Sequence, residues 1–293
     1  MIHNFQRSNY FLILATGAML IGFAPIFVRL SELSAPAILF YRMFLTLPFL
    51  IFINFTLNKK ISFKVIDKKT ILYLLIASIA FTTDLTLWHY GIGITSVSNA
   101  TIIVSSAPIF VAILSLIFFK ERLSKGFIIS FLITYLGIIG LIYYSNNYIN
   151  GKVLGDILSL IAAFFYAVYL LVIARLGKEN SLNIIFYITL FCCVFSIIPM
   201  LIDGGNMLPS SRFEWINLLL LALLCQLGGQ FLITYGIGKI SASEGSIGLL
   251  IQPITATILA AFLFSEILNT TQIIFVFVSL FGIYLARTSL LKN

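Results

Sequence analysis

Tyr90-Gly91-Ile92-Gly93, followed by Ser96-Val97-Ser98, recurs as Tyr235-Gly236-Ile237-Gly238, followed at the same spacing by Ser241-Ala242-Ser243. The two stretches lie 145 residues apart, and the match runs outward from them without a gap. Pro108 meets Pro253, Glu121 meets Glu266 and Gly137 meets Gly282. From Tyr90 to Ile138, 18 of 49 positions are identical to the residue 145 places later. Ile and Leu matches are cheap in so apolar a chain; the Gly, Pro, Glu and Tyr matches are not. The chain reads as one unit used twice, over 1–147 and 148–293.

Composition says what kind of unit it is. The chain is 60% hydrophobic and 10% charged, with a mean hydropathy of +1.09. Soluble domains carry about 25% charged residues, so lipid rather than water must solvate this surface. A helix needs about 20 apolar residues to cross the hydrocarbon core. Ten runs qualify or nearly do: 9–30, 36–57, 71–91, 97–119, 126–144, 153–173, 182–202, 213–238, 244–264 and 271–290. The runs are long and lack strict alternation, which favours helices over a barrel. The expected fold is an all-α integral membrane protein of ten transmembrane helices, five per unit. Five is odd, so the second unit threads the bilayer upside down. Inverted repeats around a central cavity are a transporter architecture.

Charge sets the orientation. With the N-terminus inside, 14 of the 18 Lys and Arg fall on the inner side; the others are Arg29, Arg42, Lys152 and Arg212. The positive-inside rule then puts both termini in the cytoplasm of a cell (inner) membrane protein. The loop 58–70, with five lysines, is the clearest cytoplasmic segment, and 203–212 falls outside. The net charge of +8 thus belongs to loops and implies no nucleic-acid partner. The first apolar run lacks a small-residue cleavage site and is followed by nine more, so it reads as a retained span. Cys192, Cys193 and Cys225 sit in apolar runs without metal-site spacing and read as buried thiols. Gly91-Ile92-Gly93 lacks a third glycine and follows a membrane helix, and no Walker-type loop occurs, so no cofactor or ATP site is expected.

Each half resembles the EamA-like unit of the drug/metabolite transporter superfamily. In the first half the likeness rests on Trp88-His89-Tyr90 leading into Thr95-Ser96-Val97-Ser98-Asn99-Ala100, then Ala107-Pro108 and Lys120-Glu121-Arg122. In the second it rests on Ile240-Ser241-Ala242-Ser243, Gln252-Pro253 and Ser265-Glu266. Gly22 with Arg29, and Ala162-Ala163 to Tyr169, are similar to the family's opening helices. Two departures stand out. Gly22-Phe23 replaces the family's frequent Trp-Gly pair, and Glu266 lacks the basic neighbours of Glu121. The resemblance implies ten helices around a central cavity, and export or uptake of amino acids, metabolites or drugs.

An ionisable side chain near the bilayer centre costs roughly 2.5–3.5 kcal/mol on insertion scales, which makes it a functional candidate. Asp84 lies inside the third run, with Trp88 four residues on along the same helix face and Phe81 close by. An acid among aromatic rings suits a cationic or amine-bearing substrate, and a buried carboxylate also suits a proton as coupling ion. Arg42, inside the second run, is expected to pair with Asp84 or Glu32, to meet an anionic substrate group, or to snorkel to the outer interface. His89, with Trp88 and Tyr90, suits an interfacial aromatic belt better than a proton relay. Gln226, Gln230 and Thr234 form a polar stripe on the eighth run, with Gln230 in register with Leu85. Pro108 and Pro253 are expected to kink their spans as hinges and to free the carbonyls of Val104 and Leu249. Gln252 and Ser106 beside them become cavity candidates. Tyr166, with Tyr169 and Tyr235, offers hydroxyls or ring faces. The matched Glu121 and Glu266 suit capping of equivalent gates.

The expected function is secondary active transport of small metabolites across the cytoplasmic membrane by alternating access. Asp84 with aromatics leans toward amines; Arg42 and the glutamines leave room for a carboxylate, so amino acids or other zwitterions fit best. A passive channel or lipid scramblase is the alternative. A membrane-embedded enzyme is a remoter one, since no two acids are adjacent and no serine–histidine pair fits.

Overall fold

A computed structural model describes residues 2–58, 67–119, 125–144, 153–176, 179–237, 239, 249, 251–266 and 268–290. Several residues of the sequence argument lie outside these: Lys120, Glu121, Arg122, Lys152, Gly238, Ser241 and Ser243. Among the described residues every regular element is helical.

The first half contains α1 (Ile2–Ile21), α2 (Ala24–Leu30), α3 (Ala35–Asn58), α4 (Lys68–Ile94), α5 (Val97–Val104), α6 (Ala107–Phe119) and α7 (Lys125–Tyr144). The second contains α8 (Val153–Arg175), α9 (Ser181–Asp203), α10 (Arg212–Leu220), a π-helical segment (Leu221–Gln230), α11 (Phe231–Ile237), α12 (Ile251–Phe264) and α13 (Thr270–Leu290). Side chains that favour caps open several of these. The Asp67 carboxylate accepts from Thr70 N–H at 3.2 Å and starts α4. Ser96, Asn180 and Ser211 start α5, α9 and α10 in the same way. Gly204, at φ +64°, ends α9 in the left-handed conformation that glycine adopts without strain.

Six stretches are long and apolar enough to cross a membrane: Leu12–Leu30, Ala35–Thr56, Lys68–Ile94, Val153–Arg175, Ser181–Asp203 and Arg212–Gly236. Four apolar helices are shorter: Val97–Val111, Ile128–Gly140, Ile251–Phe264 and Thr270–Gly282. The outward surface matches. Phe52, Ile202, Phe262 and Phe277 are exposed, as lipid-facing residues are, while small and aliphatic residues fill the centre.

Three expected continuous spans are interrupted. The first breaks at Gly22–Phe23, between α1 and α2. The fourth breaks at Ser105–Ser106, between α5 and α6. The eighth widens into the π segment. Pro108 therefore stands in the first turn of α6, after the chain has already left α5. There its missing N–H removes no intrahelical bond, so it marks a break and not a kink. Pro253 is the third residue of α12.

Helices meet through small residues. α4 lies along α8, α3 along α9, α7 along α13, and α1 along the π segment and α11. A Cβ added to Gly137 would stand 2.5 Å from the backbone nitrogen of Ser279, and one on Gly282 would stand 2.6 Å from that of Thr134. Only glycine permits such approach, the usual basis of packing between membrane helices. Because Thr134 meets Gly282 while Gly140 meets Phe275, α7 and α13 run antiparallel. Gly17 and Gly229 form a similar contact between α1 and the π segment. Beyond α12, Glu266 accepts from the backbone N–H groups of Val97 and Ser98 at 3.1 and 3.3 Å, capping α5 from the other half of the chain.

Candidate substrate cavity

A cavity lies where both halves meet. From the first half come Ile21 of α1, Arg42 of α3, and Phe81, Asp84, Leu85 and Trp88 of α4. Val104, Ser105, Ala107 and Pro108 line it at the α5–α6 break. The second half supplies Tyr166 and Leu170 of α8, Gln230 of the π segment, Leu249 and Gln252.

The acid sits where helical periodicity places it. Phe81, Asp84, Leu85 and Trp88 recur at three- and four-residue steps, so one stripe of α4 faces inward. Asp84 is 3% exposed and Arg42 1% exposed. They share the cavity, yet no hydrogen bond or ion pair joins them among the described residues. The Arg42 Nε instead donates to Gln226 Oε1 at 3.0 Å, and its Nη1 has no acceptor among the described residues. Gln226 Nε2 reaches Thr189 Oγ1 at 3.5 Å. The expected pairing of Arg42 with Asp84 or Glu32 is thus replaced by a neutral amide. Burial inside the bundle also rules out snorkelling. Glu32 lies at the other end of the fold's first turn region, where its backbone N–H meets Glu214.

Aromatic rings form a stack beside the charges. Phe81 lies over Tyr169 with ring centroids 4.3 Å apart, and Tyr166 lies over Tyr169 at 5.8 Å, both nearly parallel. Gln230 Nε2 donates to the Tyr169 hydroxyl at 2.9 Å. This amide–phenol contact holds the stack at Tyr169, while Tyr166 lines the cavity.

Other candidates fall elsewhere. Gln226 stands behind Arg42 and does not line the wall. Ser106 is fully buried and donates to the Ile103 carbonyl at 2.8 Å, while its neighbour Ser105 lines the cavity. The break turns the chain between them, an effect invisible in an apolar run. Pro253 is buried outside the lining, next to Gln252. Trp88 and His89 are 3% and 2% exposed, so they are not a lipid-facing belt; His89 Nδ1 lies 3.3 Å from the Ala35 carbonyl.

Two buried acids carried no signal in sequence because they sit near helix starts, where acids are ordinary. Asp156 accepts from Thr95 Oγ1 at 2.7 Å. Glu214 accepts from the Ser31 hydroxyl and from Glu32 N–H, tying α10 to the α2–α3 turn. Ile21 and Leu170 were equally silent, as apolar wall residues always are. Among the described residues no group of three His, Cys, Asp or Glu could hold a metal ion.

Comparison with known proteins bears on the family and the fold. The model of the EamA-like transporter family matches residues 8–143 and again 153–288. The chain belongs to the EamA-like transporter family. With six stretches long and apolar enough to cross a membrane, it is a multi-pass membrane protein of that family. It is 29% identical to the "Uncharacterized transporter YdfC" of Bacillus subtilis over 59% of this chain and 56% of that protein. It is 24% identical to the "S-adenosylmethionine uptake transporter" of Rickettsia bellii over 71% of each chain. The match to YdfC, and that to the B. subtilis transporter YetK at 64%, each span less than two thirds of the relative's length. A solved crystal structure superposes with a TM-score of 0.68 over 95% of this chain and 96% of its own, at 14% identity. That likeness concerns the fold alone.

Proposed function

We propose that this EamA-like transporter is a secondary active carrier of small zwitterionic or amine-bearing metabolites, amino acids among them, working by alternating access. The observation that carries the reading is one central cavity, built from both halves, holding a buried Arg42 and a buried Asp84 that do not pair. Two opposite charges kept apart in a low-dielectric site suit a ligand that brings both countercharges. Trp88, Phe81, Tyr166, Gln230 and Gln252 complete the binding wall, with Gln226 behind Arg42. Small-molecule transport is the family's trade, and the relative named for S-adenosylmethionine handles a zwitterion with an added cationic centre.

Alternating access needs two inverted halves of five helices, 1–147 and 148–293. Reciprocal contacts support that arrangement. Gly137 meets Ser279 while Gly282 meets Thr134, and Gly91 meets Ser159 while Gly236 meets Leu14. Each pair maps onto the other by the 145-residue shift, as a two-fold axis in the membrane plane requires. The breaks near Gly22 and at Ser105–Ser106, with Pro108 and Pro253, are the hinge positions. Both termini face the cytoplasm across the inner membrane, and lipid is the chain's surrounding partner.

Protons are the coupling ion in this reading, with Asp84 as carrier. Counterflow of labelled amino acids in proteoliposomes, measured across pH, tests it. Wild type should saturate and vary with pH, and Asp84→Asn should lose the pH response together with most of the rate. Unchanged rate and pH profile in Asp84→Asn would remove Asp84 from the coupling role.

A further inference from the structure

Arg42 and Trp88 share a feature that the carrier reading leaves unused. Arg42 has five N–H donors and no acceptor capacity, and Trp88 has one donor and none. Arg42 Nε is spent on Gln226, but Arg42 Nη1 and Trp88 Nε1 are buried with no acceptor among the described residues. Both residues line the same cavity. Buried donors left unmet are costly and uncommon in native folds. Both belong to residues that line one cavity, and one is part of a guanidinium, so the acceptor that suits them is anionic. Asp84 is bonded to neither among the described residues, so it remains for a cationic group.

We propose that Arg42 and Trp88 form an oxyanion subsite that takes the carboxylate of the cargo, with Gln226 as the residue that positions the guanidinium. This rests on the carrier reading for its ligand class. The planar fork of arginine matches a carboxylate better than a spherical ion. Gln226 holds the fork from behind, its Oε1 on Arg42 Nε at 3.0 Å and its Nε2 toward Thr189 Oγ1. Both ends of the amide are engaged, so its rotation would forfeit both contacts. The π segment brings Gln226 to this place, and Thr46 of α3, one turn from Arg42, reaches the Ala222 carbonyl of the same segment at 3.2 Å.

The chain has two tryptophans, Trp88 and Trp215. Trp215 packs edge-on against Tyr41 at the outer rim of the bundle, away from the cavity. A Trp215→Phe background makes Trp88 the single indole reporter. Purified full-length protein is titrated with benzoate, benzylamine and sodium chloride while Trp88 emission is followed. Benzoate should bind saturably and chloride should not compete with it. Arg42→Gln should weaken benzoate at least about tenfold, the size expected for a lost bond to a charged group, and leave benzylamine within about threefold. Arg42→Lys, which keeps the charge and loses the fork, covers the case in which Arg42→Gln does not fold. It should weaken benzoate by a similar factor. Gln226→Leu should weaken benzoate about three- to tenfold with benzylamine unchanged, a selective loss that general loosening of the bundle would not give. Asp84→Asn should show the opposite selectivity. Equal losses for both probes in the Arg42 and Gln226 variants would overturn the assignment. So would effective competition by chloride, or no saturable benzoate response from folded wild type. Failed counterflow with intact benzoate binding would sink the carrier reading and leave the subsite standing.

Discussion

Asp84 and Gly229 occupy matching places, 145 residues apart, on the third helix of each half, and they do opposite things. Asp84 sits on a continuous α-helix and lines the cavity. Gly229 sits in the π segment and packs against Gly17 and Ile21 of α1. The same contrast runs through the whole site. The first half contributes both charges, Arg42 and Asp84. The second contributes neutral groups: Tyr166, Tyr169, Gln226, Gln230 and Gln252. Helix contacts that need small residues recur in both halves, whereas charge occurs once. A single acid per cavity avoids the like-charge repulsion that a symmetric pair would create in low dielectric.

Exchanging the roles of the two positions gives the largest effect. A Cβ on Gly229 would stand 2.6 Å from Ile21 Cγ1 and 3.0 Å from the Gly17 carbonyl oxygen. Overpacking costs about 1–3 kcal/mol even where a core can shift, and here backbone stands in the way. Gly229→Leu should abolish recovery of monodisperse protein in detergent, read by size-exclusion chromatography. Asp84→Gly, which copies the partner position, should leave that profile intact and cut transport by roughly 100-fold, the scale of losing a principal charged contact. Should Asp84→Gly fail to fold while Gly229→Leu folds, the division into structural and chemical positions would be reversed.

Sequence made the cavity's charges easy to find and its second layer hard. Asp84 and Arg42 stand out because a charge in a long apolar run is costly, and the i, i+4 step from Asp84 to Trp88 gives the facing stripe. Gln226 is a different case. Four-residue spacing puts it on one face with Gln230, yet only Gln230 lines the wall, because the Gln226 amide is held by Arg42 Nε and Thr189 Oγ1. Ser106 was displaced by one residue for a different reason. The chain leaves α5 before Pro108, and Ser105 takes the lining position. The six longer spans follow from apolar length alone. At the first interruption Gly22 lies against Thr255 of α12, a contact between the halves that the local pattern does not show.

Gln230 sharpens the comparison at smaller scale. It is the polar residue that the second half places beside its glycine, and its amide secures Tyr169 at 2.9 Å. Gln230→Leu removes the donor and leaves the phenol without that partner, at about 1–3 kcal/mol. The expected result is a lower unfolding temperature and a several-fold weaker affinity for ring-bearing ligands, with benzoate and benzylamine affected alike. A selective loss of one of the two probes would mean that Gln230 contacts the charged groups of the ligand, and not the aromatic stack.

The smallest effect lies at the start of α4, outside the apolar span, and isolates folding from transport. Asp67 caps this helix through Thr70, and that hydrogen bond holds its carboxyl below the usual carboxylate range. A depressed folded value means that the cap's contribution is present above the unfolded value, about 3.9. It is lost as pH falls through the folded value. Asp67→Asn keeps an acceptor for Thr70 N–H and should hold the unfolding midpoint while flattening this acid-side loss. Asp67→Ala loses the acceptor and should lower the midpoint slightly at neutral pH. Neither change touches Asp84, seventeen residues along the same helix, so the pH profile of counterflow should stay that of wild type in both. A shifted transport profile in Asp67→Asn would place part of the proton response at the rim of α4, and would take from Asp84 its standing as the acid of the cavity wall that carries it.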